Sequence, residues 1–366
     1  MNATATDIDA ITNMLLEDSD LLAESVCLEL GDHRLSIRSN SVAMLQHLRM
    51  YFSHVVTEST DDIRAELIVV DRDAVDIGVE YVDWKREPGK TGRKDAIHDF
   101  PDGRLVHKVR TGMLFLQSNS SLIAAGPCLK YDNQVINFIN TQFLNWFQND
   151  GYVLCHAAAL SRHGLGLAIA GLSGGGKSTL MLKLMEDDAT TYVTNDRLLV
   201  RKEKNARHAI GIPKLPRINP GTIVNNPRLH PLLTDEQRKQ LSKMHRDELW
   251  KLEQKYDVDI DHLYGASRIQ HDTDLRKFLV LNWQHDSTND VQLDQVDLST
   301  RADLLSAIMK PSGPFYIDGR GHFNRDDAIP DPADYLAALE GVVVYEASGR
   351  IDFERLGAQC LNELMV

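Results

Sequence analysis

The first 150 residues are dominated by short segments in which apolar and polar positions alternate. Val26–Leu30 and Leu35–Arg38 have an apolar residue at every second position, which is the period of a half-buried strand. Asn40–Phe52 has helical spacing instead. Further strands are predicted at Ala65–Val70, Leu105–Arg110, Met113–Gln117 and Ser121–Ala125. The pattern predicts a smaller α+β domain over residues 1–150.

The pattern changes after a strongly amphipathic segment, Asp132–Asn149, in which apolar residues recur every three or four positions. It predicts a helix with Asp132 as its cap. Val153–Leu160 and Leu167–Ala170 then have the character of buried strands. We place a domain boundary near residue 150 and an α/β domain over residues 151–366. Thr234–Tyr256 opens with a capping-box sequence and predicts a charged helix, either a solvated surface helix or a lid.

The composition and charge of the chain disfavour two classes of partner, nucleic acids and membranes. The chain has 366 residues and a formal net charge of −13, which disfavours nucleic acid because a phosphate backbone needs a basic surface. No apolar run approaches the ~18 residues of a membrane span, and the acidic N-terminus lacks the basic region of a signal peptide. Four widely spaced cysteines are expected as reduced thiols. We expect a cytoplasmic protein with no nucleic-acid or membrane partner, and homo-oligomerisation stays open.

One motif decides the class of chemistry. Gly171–Ser178 reads Gly-Leu-Ser-Gly-Gly-Gly-Lys-Ser and matches G-x-x-x-x-G-K-[ST] without a substitution. A predicted strand enters the motif and a predicted helix leaves it, which is the order that a P-loop requires. Glycines let several backbone N–H groups converge on one anion, and the helix start adds partial positive charge. The predicted phosphate-binding residues are Gly171, Ser173, Gly174, Gly175, Gly176, Lys177, Ser178 and Thr179.

The P-loop pattern also assigns roles outside the glycines. Lys177 would reach the β- and γ-phosphates, and the Ser178 hydroxyl would hold Mg²⁺. Asp196 follows the next predicted strand, Thr190–Thr194, and would lie beside the P-loop in a parallel sheet. It is the leading candidate for metal ligand or base, unless Asn-Asp-Arg only turns the chain. His156, upstream of the P-loop strand, is either catalytic or a satisfied core residue.

A proline-bounded segment, Pro216–Thr222, carries the polar side chains Arg217 and Asn219. It is either a substrate loop or a proline-rich connection. Both interpretations stay open.

Together these residues resemble the catalytic domain of HPr kinase/phosphorylase. The similarity lies in His156-Ala-Ala-Ala, the P-loop and Val193-Thr-Asn-Asp196, and covers about residues 150–225. Asn-Asp-Arg and the sequence Leu215–Thr222 are closer to the HPr kinase-related kinases of the B subgroup. The resemblance implies the P-loop fold shared with phosphoenolpyruvate carboxykinase, and it implies the family's P-loop roles for Gly176, Lys177 and Ser178. It also implies the roles of the family's second aspartate for Asp196 and of its upstream histidine for His156.

Two departures limit what the resemblance implies. Asn195 stands where the family has the first aspartate of a pair, so a proton-accepting carboxylate would have to be Asp196. The glycine-rich segment with which the family engages its protein substrate has no clear counterpart. HPr itself is therefore not the expected acceptor.

Three functions follow from these features. The first is an ATP- and Mg²⁺-dependent kinase that phosphorylates a hydroxyl group on a protein serine or a small molecule and releases ADP, with Lys177, Asp196 and His156 as catalytic residues. The second is a nucleotide-gated switch or assembly ATPase without a phosphorylated acceptor. The third is a carboxykinase-like enzyme that acts on a small acid. Product analysis with labelled ATP distinguishes a phosphorylated acceptor from free phosphate alone.

Overall fold

The computed structural model describes residues 7–86, 92–171, 175–204, 206–245, 248–249, 252, 254–284 and 287–366. The chain divides into two compact units. One consists of Met1–Asp150 with Pro311–Ile329, and the other of Gly151–Lys310 with Pro330–Val366. No helix among these described residues is both long and apolar enough to span a membrane.

The first unit is built on one mixed sheet. Its strands in the described residues are β1 (Ser25–Leu30), β2 (His33–Ser39), β3 (Val56–Thr57), β4 (Ala65–Asp71), β5 (Val82–Asp83), β6 (Asp95–Phe100), β7 (Gly103–Lys108), β8 (Met113–Ser118) and β9 (Leu122–Gly126). They lie in the order β3-β1-β2-β4-β9-β8-β7-β6-β5. The pairs β2–β4 and β4–β9 are parallel, whereas β7, β8 and β9 form an antiparallel run. Every strand predicted here is present at nearly the predicted position.

Helices in this unit are α1 (Ile8–Leu16), α2 (Val42–Tyr51) and α3 (Asp132–Asn149). The bounds of α3 agree with the sequence prediction, but the predicted cap is wrong. Asp132 is the first helical residue, Tyr131 precedes it, and no side chain caps the helix. The Asp132 carboxylate instead lies 2.8 Å from Nε2 of His47, a residue outside this helix.

Residues 311–329 belong to the first unit, although the sequence prediction assigned them to a continuous domain over 151–366. Phe315 packs its ring against those of Phe115 and Phe138, with centroids 5.6 and 5.2 Å away. The buried Arg104 guanidinium donates to the carbonyl oxygens of Pro314 and Asn324, both at 2.9 Å. These contacts join positions far apart in the chain, so no local pattern in the segment announces them.

The second unit holds the predicted P-loop, which lies in a larger α/β arrangement. Its strands in the described residues are β10 (Val153–Cys155), β11 (Ala158–Arg162), β12 (Leu165–Gly171), β13 (Thr190–Thr194), β14 (Leu198–Lys202), β15 (Arg207–Gly211), β16 (Arg217–Ile218), β17 (Tyr256–Asp257), β18 (Asp272–Leu281), β19 (Gln292–Val296) and β20 (Val343–Ser348). The main sheet has the order β10-β14-β15-β18-β12-β11-β13, with β20 on β18 and β19 on β20. β16 and β17 pair separately.

Helices pack on both faces of this sheet. In the described residues they are α4 (Lys177–Leu184), α5 (Pro220–Val224), α6 (Asp235–Leu241), α7 (Ile260–Tyr264), α8 (Ala302–Ile308), α9 (Pro332–Ala338) and α10 (Phe353–Gln359), with 3-10 turns at Pro227–Leu232 and Leu298–Thr300 and a π-turn at Cys360–Leu364. Alternate residues of β12 pack in two different hydrophobic clusters. Leu167 and Ile169 join the cluster that contains α4 and α10, whereas Ala168 and Ala170 join the one that contains α8 and α9.

Two predicted elements differ from the structure. The predicted strand Val153–Leu160 is two strands, because β10 pairs with β14 whereas β11 pairs with β12 and β13. The chain therefore changes position in the sheet at His156. The capping box at Thr234 and Gln237 is confirmed, but α6 ends at Leu241 and does not continue to Tyr256.

The order of three strands places the predicted site residues at one edge of the sheet. β11 is antiparallel to both β12 and β13, so those two strands point the same way with β11 between them. The carboxyl ends of β12 and β13 and the amino end of β11 consequently meet at one edge. Gly171, Asp196 and His156 stand at or just beyond these three ends. The prediction that Asp196 follows a strand parallel to β12 is confirmed, although the two strands are not neighbours.

Arg268 fixes the relation between α4 and β13. Its side chain is 8% exposed, and its guanidinium donates to the carbonyl oxygens of Thr190, Tyr264, Met185 and Asp187 at 2.7 to 3.0 Å. Two of these carbonyls follow α4 and one begins β13. The same cation therefore ties the end of the helix to the start of the strand that precedes Asp196.

We expect Arg268→Met to lower the free energy of unfolding by about 3–5 kcal/mol, because it leaves several buried carbonyl oxygens without a donor. Arg276→Met is the matched control on β18, since the Arg276 side chain is 54% exposed, and it should change stability by less than about 0.5 kcal/mol. Urea denaturation followed by circular dichroism measures both. Equal stability of the two variants would remove Arg268 from this role.

Candidate functional site

The start of α4 depends on a glycine. Gly176 has a φ of 85°, in the left-handed region, and it precedes the first helical residue, Lys177. A Cβ atom on Gly176 would lie 2.3 Å from Cζ of Phe353, so the ring of α10 packs directly on this backbone. On the other side, Nε1 of Trp283 donates to the Gly175 carbonyl at 2.8 Å. The two aromatic residues hold this end of the loop in place, and Ser173 and Gly174 lie outside the described residues.

Lys177 points back over the loop. Its Nζ donates to the Gly171 carbonyl at 3.0 Å, so it bridges the two ends of the predicted P-loop. Burial lowers the pKa of Lys177, the charge of Asp196 opposes that shift, and the Lys310 cation adds to it. An ammonium group that is partly stripped of water and donates to a neutral carbonyl is well suited to bind an anion.

Asp196 lies between the side chains of His156 and Lys310. One carboxylate oxygen is 2.9 Å from Nε2 of His156, and the other is 3.4 Å from Nζ of Lys310. The backbone N–H of His156 donates to the Ile308 carbonyl at 2.7 Å, which holds the backbone of the histidine in place. The structure therefore brings together the two residues that the sequence selected, Asp196 and His156, and adds Lys310.

The charge state of Asp196 follows from this arrangement. Burial by itself would raise the pKa of the carboxyl group. The hydrogen bond from His156 and the positive charges of Lys310, His156 and Arg197 outweigh burial and hold the pKa well below its usual range. The carboxylate remains ionised over the whole range in which proteins are normally handled, while its side chain is 48% exposed and accessible to a ligand.

Lys310 is a functional candidate that sequence analysis missed. It is 114 positions beyond Asp196 in the numbering, it follows α8, and no motif surrounds it. Its backbone N–H donates to the Leu154 carbonyl at 3.2 Å, and Met309 forms an isolated bridge with Cys155. The segment is thus laid beside β10 by backbone pairing. A signal that could have found it is the Lys-Pro step at Lys310, where the chain leaves the second unit.

The remaining predicted residues also lie near the loop. The Ser178 and Thr179 hydroxyl groups are on the first turn of α4, and Thr179 Oγ1 lies 2.9 Å from Thr222 Oγ1. Arg217 pairs with Asp257 at 3.0 Å. Asn219 precedes α5 but makes no capping bond, and its Oδ1 atom is buried without a hydrogen-bond partner in the described part of the chain.

A single cavity of about 1670 Å³ joins these groups. His156, Asp196, Arg217, Asn219 and the segment 175–179 all line it. Seven Lys or Arg side chains and four Asp or Glu side chains are among its lining residues, although the whole chain has a net charge of −13. The cavity is therefore a cationic region of an acidic protein, as a site for phosphate groups requires.

Lys214 adds a half-buried cation to the lining of the cavity. The hydroxyl group of the buried Tyr192 donates to the Lys214 carbonyl at 2.7 Å, which fixes the lysine backbone. Burial is the main cause that lowers the pKa of Lys214 to about 7. The charges of Arg197 and Arg217 lower it further, while Asp196 and a second carboxylate at residue 257 oppose them.

Comparison with known proteins adds little to this geometry. No protein-family model matches the chain. No curated protein matches its sequence. Among solved structures, it is similar to the Hpr(Ser) kinase/phosphatase from Coxiella burnetii at 13% identity, over 58% of this chain and 90% of that one, with a TM-score of 0.28. A TM-score of this size does not establish a shared fold.

We expect Lys214→Met to stabilise the protein in a pH-dependent way. Below pH 7 the lysine is charged in both the folded and the unfolded chain, so folding carries a cost of burying the cation that does not vary with pH. Above pH 7, and up to about 10.4, the unfolded chain binds a proton that the folded chain does not, and stability rises with pH. The substitution should therefore add about 2 kcal/mol at pH 6, and less than half of that gain near pH 9.5.

Urea denaturation at both pH values measures this difference. Lys202→Met is the control, since the Lys202 side chain is 45% exposed, and it should change stability little at either pH. A gain from Lys214→Met that is the same at both pH values would contradict the assignment of Lys214 as a buried, titrating cation.

Proposed function

We propose that this protein is an ATP-dependent kinase that transfers the γ-phosphoryl group to a hydroxyl group of a second substrate. One observation carries the proposal. Asp196 lies at the same sheet edge as the start of α4, with His156 at 2.9 Å and Lys310 at 3.4 Å. Phosphoryl transfer needs positioning and charge stabilisation more than covalent chemistry, and this edge offers a carboxylate and several cations for that purpose.

The triphosphate would lie against the start of α4. Backbone N–H groups near Gly176 and the first turn of the helix are directed toward an anion at this position. Lys177 would exchange its bond to the Gly171 carbonyl for bonds to phosphate oxygens. That exchange replaces a neutral acceptor with a charged one, and charge-assisted hydrogen bonds are roughly twice as strong.

Mg²⁺ is proposed with the nucleotide. Ser178 and Asp196 both line the cavity and both present oxygen atoms, the ligand type that Mg²⁺ takes alongside phosphates and water. When bound, the metal ion would neutralise charge on the transferred group. Lys310 supplies positive charge to Asp196 in the structure itself.

The acceptor hydroxyl would be oriented by Asp196. The oxygen of the acceptor hydroxyl group would form a bond to the γ-phosphorus. The bond from that phosphorus to the bridging oxygen would break, and ADP would leave with the electron pair. The hydroxyl proton passes to the Asp196 carboxylate. Because His156 and Lys310 hold the pKa of Asp196 low, the proton moves late, and orientation is the main contribution of this carboxylate.

We expect Lys177→Ala to weaken binding of ATP–Mg²⁺ by at least about tenfold and to abolish phosphoryl transfer, because the main side-chain charge on the phosphates is lost. Lys202→Ala, on β14, is the control and should bind normally. Calorimetry and transfer of label from γ-labelled ATP measure the two effects. Normal binding and normal turnover by Lys177→Ala would exclude the predicted P-loop from the mechanism.

Asp196→Asn should affect chemistry more than binding. It keeps the size of the side chain but removes the charge, so ATP affinity should stay within about tenfold while transfer falls by at least ~100-fold. Asp272→Asn, whose parent side chain is 62% exposed, is the matched control. The parent protein, which has Asn195, should be active without the substitution Asn195→Asp. Label that appears only in free phosphate with the parent protein would favour a nucleotide-gated switch, and normal transfer by Asp196→Asn would make Asp196 a turn residue.

A further inference from the structure

The cavity is larger than one nucleotide needs. Pockets that hold one small ligand typically enclose about 300–1,000 Å³, whereas this one encloses about 1670 Å³. It also extends from the start of α4 past Asp196 to the segment after β15, which contains Lys214. Space for a second ligand is therefore part of the same cavity.

Asp196 lies in the same cavity as two lysines, Lys177 and Lys214. Its charge acts on both Lys177 and Lys214. The cation that acts with it on Lys177 is Lys310, whereas Arg197 is the strongest cation acting on Lys214. A nucleotide on α4 would meet Lys177, which leaves Arg197 and Lys214, also in the cavity lining, for a second ligand.

Arg197 has no carboxylate within ion-pair distance and no hydrogen-bond acceptor among the residues that the structure describes. Its guanidinium is nevertheless partly buried, and burial lowers its pKa. Arg217, by comparison, is paired with Asp257. Arg197 lines the cavity together with Lys214, and its charge lowers the pKa of Lys214.

The backbone keeps these two cations close. Gly211, at the end of β15, approaches β13 so closely that a Cβ atom would lie 2.0 Å from the Val193 carbonyl oxygen. Lys214 follows three residues later and is held by the hydroxyl group of Tyr192, also on β13. Arg197 follows the end of the same strand, so one strand positions both cations.

Two acceptor atoms complete this part of the cavity. Oδ1 of Asn195 and Oδ1 of Asn219 are buried and have no hydrogen-bond partner in the part of the chain that the structure describes. Both residues line the cavity. A buried acceptor without a partner is unfavourable, and a hydroxyl group of a ligand would satisfy it.

We infer that the region between Asp196, Arg197 and Lys214 binds the phosphoryl acceptor, and that this acceptor is a small hydroxyl-bearing anion whose carboxylate or phosphate group lies against Arg197 and Lys214. The inference rests on the proposed function for the direction of transfer. Its anion would anchor the molecule on one side of Asp196, and its hydroxyl group would face the γ-phosphate on the other. Asn195 and Asn219 would accept hydrogen bonds from further hydroxyl groups.

The test is direct calorimetric binding of glycerate and of glycerol 3-phosphate to the full chain, alone and with a non-hydrolysable ATP analogue and Mg²⁺ present. The first probe supplies a carboxylate and the second a phosphate, so the stronger binder identifies the anionic group. Either probe should bind together with the analogue. Lys214→Met and Arg197→Gln should each weaken the probe by at least about tenfold and leave the analogue within about threefold.

Two controls accompany these variants. Lys202→Met and Arg276→Gln remove exposed cations of the same types and should change neither affinity. For glycerate, whose charge is constant above pH 5, affinity should fall as pH rises from 6.5 to 8.5, because Lys214 loses its proton near pH 7.

Several outcomes would overturn the inference while the proposed function stands. These are binding of the analogue but of neither probe, competition between probe and analogue, probe affinity in both variants that is unchanged from the parent protein, or phosphorylation of a serine peptide in place of the small anions. Failure of the analogue to bind the parent protein would instead remove the proposed function. The measurement therefore separates the two claims.

Discussion

The antiparallel strand β11, set between two strands of the opposite direction, is the constraint on which the site depends. A side chain just before β11 and side chains just after β12 and β13 share an edge only because β11 runs the other way. Ala157, Ala158 and Ala159 are all fully buried, so the sheet can be covered closely on both faces at this point. Moving β11 out of the sheet would separate His156 from Asp196.

The electrostatics of the site follow from that meeting of strand ends. One carboxylate, Asp196, is surrounded by cations that come from distant parts of the chain, and their repulsion is moderated by its charge. Removing Asp196 would leave Lys177, Lys310 and Arg197 facing one another in a partly buried space. The same cations without a ligand remain poorly solvated, which is the state from which binding of an anion gains most.

Sequence patterns predicted the local structure well. The strands predicted in the first unit, α3, and the succession of β12 and α4 all follow from periodicities that extend over a few residues. Patterns could not predict that residues 311–329 return to the first unit, since the contacts of Phe315 and Arg104 that hold them are non-local. Within the site, Asp196 was predicted because it follows a strand that can be read from sequence, and His156 because it lies upstream of the P-loop strand as in the family that the chain resembles. Lys310 and Lys214 were not, because only tertiary packing brings them beside Asp196.

Buried arginines show how structural and ligand-binding side chains differ within one chain. Arg104 and Arg268 are 2% and 8% exposed, and each has its guanidinium occupied by carbonyl or carboxylate oxygens of the fold. These contacts compensate the cost of removing the charge from water. Arg197 has no such compensation within the described residues, and Asn195 and Asn219 close to it have unmatched acceptors. Asn195 and Asn219 line the same cavity as Arg197, and a ligand with hydroxyl groups and an anionic group would supply partners to all three side chains.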